Sequence, residues 1–151
     1  MTGALMLDFY VDNARVAIEN VKRIFSTPFG IFIHAAITGM IGVVILMFFF
    51  SMLLSGSSLA MALPVILAFN AASCGYGIVD KGGLNYPRLP LAGSVISLLL
   101  LLTGYVALML LVPWESFTGG LRWLIAGVIV VVFFSMGTWI ARMNNKQKGT
   151  I

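Results

Sequence analysis

The sequence predicts an all-α membrane protein: four transmembrane helices preceded by an N-terminal amphipathic helix. Three observations predict it. First, 60% of the 151 residues are apolar, above the roughly 45–50% of soluble chains. Second, only 9% are charged, against about 25% in a soluble domain. A water-soluble domain of this size could not hide so much apolar surface. Third, the apolar residues fall in four long runs separated by short polar segments. The expected organisation is an interfacial segment over 1–27, a four-helix domain over 28–141, and a polar tail over 142–151.

The N-terminal segment reads as a helix over residues 4–25. Leu7, Val11, Ala14, Ile18, Val21 and Phe25 recur at steps of three and four, which lines one face. Asp8, Asp12, Arg15, Glu19 and Lys22 mark a polar side. Acids come early and bases late, which suits the helix dipole. The apolar stretch before Asp8 is too short for a signal peptide, so the chain is expected to remain uncleaved. Thr27-Pro28 then ends the segment and starts the next, with Thr27 as cap and Pro28 in the first turn.

The first predicted membrane helix covers residues 28–54, roughly 40 Å at 1.5 Å per residue. That exceeds a hydrocarbon core of about 30 Å. Ser55-Gly56-Ser57-Ser58 is expected to form a tight turn. The second helix covers 59–79 and contains Pro64, which membrane helices tolerate. A polar loop follows over 80–88. The third helix covers 91–112. After the turn at Pro113 the fourth covers 121–141.

Orientation follows from lysine and arginine. Four crossings put Arg15, Lys22, Arg23, Lys81, Arg88, Arg142, Lys146 and Lys148 on one side and only Arg122 on the other. Both termini are therefore expected in the cytoplasm. Trp114, Trp123 and Trp139 lie near helix ends, where indole rings favour the interface.

Direction and rise together assign depth. His34 lies about two turns into the first helix. Ser73, Cys74 and Tyr76, with Asn70 nearer the middle, reach that level on the second. Ser94 and Ser97 do so on the third, and Ser135 and Thr138 on the fourth. One reading makes this cluster interhelical glue, beside small-residue faces at Ala35, Gly39 and Gly42 and at Ala68, Ala71, Ala72 and Gly75. The other makes it a polar pocket open to the cytoplasm, since polar groups are expensive in a membrane.

Specific chemistry is scarce. His34 has no second histidine, so a haem held by two histidines would need a partner subunit. Gly75-Tyr76-Gly77 shares three letters with potassium-channel filters, but Ser73 and Cys74 replace the threonine and valine. The run around it is also long enough to span completely. No carboxylate falls within a predicted span, and no nucleophile–base–orienter set can be built. Asp80, Lys81, Tyr86 and Arg88 could meet lipid phosphates or a partner from the loop. A single cysteine forbids an intrachain disulfide. Short basic clusters beside apolar runs do not make a nucleic-acid surface.

The functional expectation is an accessory or structural subunit of a larger membrane complex, without catalysis of its own. Its partners would be membrane lipids and other membrane subunits, or further copies of itself. The alternatives are a small transporter or channel using the inner polar cluster, and a quinone or haem site shared with a partner.

Overall fold

Thr27 adopts extended backbone ahead of the first long helix, and its hydroxyl accepts the Gly30 amide at 3.0 Å. Pro28, which has no amide hydrogen to leave unsatisfied, opens the helix that follows. In this computed structural model the described residues are 11, 15–20, 23, 26–54, 56–81, 88–111 and 120–148. They form four long helices: α1 Pro28–Leu53, α2 Gly56–Asp80, α3 Leu89–Leu111 and α4 Gly120–Lys148. All four are long and apolar enough to cross a membrane.

The element boundaries differ from expectation by more than one residue in three places. α2 begins at Gly56, inside the expected Ser55–Ser58 turn. α3 begins two residues early, with Pro90 in its first turn, where a missing amide hydrogen costs nothing. α4 runs on through the expected polar tail to Lys148. Residues 142–148 contain neither glycine nor proline, and Lys146 and Lys148 suit a helix C-terminus. The tail is therefore helical as far as it is described.

Of the N-terminal segment, Val11, residues 15–20 and Arg23 are helical. Val11, Val16 and Ile18 are all more than half exposed, so the bundle does not cover them. Val16 lies on the side expected to be polar. The rest of the predicted amphipathic helix lies outside the described residues, as do the loop carrying Tyr86 and the turn carrying Trp114.

Which helix meets which was open in the sequence. α2 packs most extensively on α4, then on α1; α3 touches all of the others. The order around the bundle is therefore α1, α2, α4, α3, with α2 and α3 in contact across its middle. Gly42 faces Asn70 while Gly39 faces Cys74, so α1 and α2 are antiparallel. Gly93 faces Phe134 and Gly127 faces Leu101, so α3 and α4 are antiparallel too. Gly104 faces Leu63 and Leu67, while Cys74 and Leu100 both reach Gly39, so α2 and α3 are antiparallel and α2 and α4 therefore run parallel. The start of α1, end of α2, start of α3 and end of α4 thus share one end. Lys81, Arg88, Arg142 and Lys146 gather there; we call it the basic end.

Each helix buries a stripe at steps of three and four. On α3 it is Leu89, Ala92, Gly93, Ile96, Ser97, Leu100, Gly104, Ala107 and Leu108. The opposite faces are apolar as well: Ile37, Ile41, Val44, Ile45 and Phe48 on α1 are exposed. A helix hydrophobic all round is what a span requires. α2 is the central helix, with 50% of its best span buried, against 22% for α1.

The α2–α4 contact is the closest. A Cβ on Gly75 would strike the backbone oxygen of Phe134, and one on Gly137 would strike that of Ala72. Small residues allow such backbone approach, and dispersion then drives the pairing.

Candidate functional site

The contacts put Ala35 to Gly39, Ala71 to Gly75, Gly93 to Ser97 and Phe134 to Thr138 at one level near the basic end. The nine polar residues singled out in the sequence lie at or beside this level. They do not form one cluster, however. All but Tyr76 line two separate cavities on opposite sides of the bundle.

The first cavity, about 160 Å³, lies between α1 and α2. His34, Thr38, Asn70, Ser73, Cys74 and Lys81 line it, with Ile31, Ala35, Gly39 and Gly77. The second, about 280 Å³, lies between α3 and α4 and collects Ser94, Ser97, Ser135 and Thr138. Tyr76 joins neither; its hydroxyl accepts a bond from Asn144 Nδ2 at 3.5 Å. Between the cavities the interior is filled by Ala71, Cys74, Ile96 and Leu100, each nearly or fully buried.

Most hydroxyls here are spent within their own helices. Ser73 donates to Phe69 O at 2.9 Å, Ser94 to Pro90 O at 3.0 Å and Ser135 to Val131 O at 2.8 Å. Thr138 donates to Ser135 O at 2.8 Å. Back-bonding to the preceding turn satisfies a hydroxyl even on an apolar surface, and Ser73, Ser94 and Ser135 are indeed exposed. These residues are therefore not glue in the hydrogen-bonding sense that the sequence suggested. Asn70, buried, likewise donates to its own helix at Ile66 O, 2.8 Å. Its Oδ1 lies against Gly42, where a side chain would collide with it.

Cys74 does bridge helices: its thiol donates to Ala35 O at 3.2 Å. Gly39 makes room, since a Cβ there would meet the sulfur. His34 is exposed, with Nδ1 at 3.3 Å from Thr38 Oγ1, one turn along α1. Among the described residues no three His, Cys, Asp or Glu side chains come together in a metal-binding group.

Of the loop residues, Lys81 stands at the mouth of the α1–α2 cavity, and Asp80 and Arg88 are exposed. Tyr86 lies outside the described residues. Reading the sequence missed Thr38, although its i+4 spacing from His34 was visible. It also missed Asn144, whose partner Tyr76 is remote in sequence and gave no local signal.

Cys74 offers a direct check. It is 4% exposed and its proton is committed to Ala35 O. Attack on a reagent needs the thiolate. A membrane-impermeant maleimide should leave Cys74 intact in the folded protein and modify it after unfolding in SDS. Rapid modification of the folded form would mean that the α1–α2 cavity is wetter and more open than its packing implies.

Compared with protein families, with curated proteins and with solved structures, the chain shows no match.

Proposed function

We propose that this chain is a multi-pass integral membrane protein that serves as an accessory or structural subunit of a larger membrane assembly. The observation that carries the reading is the apolar filling between the two polar cavities. Ala71, Ile96 and Leu100 are fully buried at or next to the polar level, and Val43, Leu67 and Val130 are fully buried beyond it. Among the described residues the lining of neither cavity continues through the bundle as a polar path, which argues against a conduit inside a single copy. The exposed apolar outer faces of all four helices suit lipid and other membrane helices. Exposed Val11 and Ile18 on the N-terminal segment fit an amphipathic helix lying on the bilayer surface or against a partner subunit.

The basic end faces the cytoplasm in this reading, on the positive-inside rule. In a Cys74→Ala background, cysteines at Lys81 and Lys146 should react with the impermeant maleimide from the cytoplasmic side. A cysteine at Ser58 should react only from the opposite side. Labelling of Ser58 and Lys81 from the same side would sink the topology.

Purification in mild detergent tests the function. An accessory subunit should bring down other membrane proteins in fixed stoichiometry, and should move no solute when reconstituted alone. Solute flux through liposomes holding only this chain would replace this reading with a transporter or channel built from the inner polar residues.

A further inference from the structure

We infer that two copies of this chain associate side by side through the outward face of α1, joined at His34 and Thr38. This rests on the membrane reading proposed above and deepens it, naming a second copy as the occupant of one helix face.

The observation is that α1 carries its polar side chains on the outside. Its buried stripe, Ala35, Ala36, Gly39, Val43 and Met47, faces the other helices. At 3.6 residues per turn the opposite stripe is His34, Thr38, Ile41, Ile45, Phe48 and Met52. All six are exposed, and α1 is the least buried of the four spans. Apart from Ser51, whose hydroxyl donates to Phe48 O at 2.7 Å, His34 and Thr38 are the only polar side chains of this helix.

Depth makes their placement costly. α1 has 26 residues, roughly 39 Å of helix for a hydrocarbon core of about 30 Å. Centred on that core, His34 lies roughly 5 Å inside it and Thr38 roughly 10 Å. Hydrocarbon offers an imidazole or a hydroxyl neither donor nor acceptor. Ionisable side chains within spans face protein or water-filled space for that reason.

Three features select a second copy. First, His34 Nδ1 and Thr38 Oγ1 stand 3.3 Å apart. Whichever atom donates in that bond, the pair also carries a second proton and a second acceptor. Such a pair is complementary to itself, which a two-fold interface requires. Second, two copies of one topology bring these residues to the same depth with no further matching. Third, the exposed stripe advances in alternating steps of four and three. That heptad spacing keeps two like helices in contact along a left-handed crossing of about 20°. From His34 to Met52 the stripe runs roughly 27 Å. It contains no lysine, arginine, aspartate or glutamate, so identical faces meet without repulsion.

The test uses the purified full chain in phosphatidylcholine liposomes, in a Cys74→Ala background. Ile41→Cys and Ile45→Cys should form disulfide-linked dimers on oxidation with copper phenanthroline. Leu98→Cys, exposed on α3, is the collision control and should link far less. Energy transfer between donor- and acceptor-labelled Lys146→Cys chains should persist as lipid is added. His34→Leu combined with Thr38→Val should weaken that association by roughly five- to tenfold, the loss of two symmetric interhelical bonds. Its thermal unfolding should match the parent, because both residues face away from the bundle. Equal linking through Leu98→Cys, energy transfer that falls as random collision predicts, or unaltered association of the folded double variant would each overturn the proposal. A chain that inserts with the expected topology yet stays monomeric overturns it and leaves the membrane reading standing; failure to insert would sink both.

Discussion

Gly137→Val should separate α2 from α4 and leave little folded protein in mild detergent. Any Cβ at this position runs into the backbone of Ala72, and the obstacle is a carbonyl rather than a side chain able to turn away. The helices would have to move apart over their whole contact, forfeiting the close packing on which, in the membrane reading proposed above, their association depends. Gly137→Ala should already cost about 3 kcal/mol, the upper end of ordinary overpacking. Gly75→Ala, facing the backbone of Phe134, should cost a similar amount. Gly77 is the matched control. Nothing lies within 4 Å of a Cβ built there, so Gly77→Ala should be neutral or gain up to about 1 kcal/mol from helix propensity. Thermal unfolding in detergent would report all four variants. Equal stability of Gly137→Ala and Gly77→Ala would contradict the α2–α4 arrangement.

Leu67→Ala and Leu100→Ala should each destabilise the bundle by about 2–5 kcal/mol, the range for emptying a packed leucine site. Both side chains are fully buried. Both belong to the apolar core of the bundle, so the space they leave has mainly apolar walls. Such a cavity stays dry. The prediction for flux therefore differs from that for stability: liposomes carrying either variant should remain as tight as those carrying the parent chain. Conductance appearing in Leu100→Ala, with the fold retained, would identify this leucine as a gate and contradict the subunit reading.

Much of the fold was legible from rise and direction. Thr27-Pro28 announced the start of α1, and four apolar runs announced four helices of spanning length. The common level of His34, Cys74, Ser97 and Thr138 followed from counting turns. What counting cannot supply is position around the bundle. Ala72 and Gly75 were visible as a small-residue face, yet nothing local said that the face belongs to α4 and not to the adjacent α1. Gly137, the residue it meets, sat unnoticed in an apolar run. For the same reason one level of polar residues became two cavities, because α2 and α3 pass between them. The hydroxyls misled differently. A serine in a helix has a carbonyl acceptor one turn back at all times, so its presence alone does not imply a partner on another helix. The extension of α4 to Lys148 was missed because polarity was read as an end of helix, when it marks only an end of apolar surface.

The pairing of α2 with α4 has a consequence for how the chain is made. A ribosome delivers the α1–α2 hairpin first, and that hairpin can close at once through Cys74 and Ala35. The tightest seam in the molecule stays open until the last helix arrives. Until then Ala72 and Gly75 lie bare, a groove of backbone shaped for a helix not yet synthesised. A chain truncated before α4 would carry its central helix half undressed, a surface by which cellular quality control could tell a finished molecule from an unfinished one.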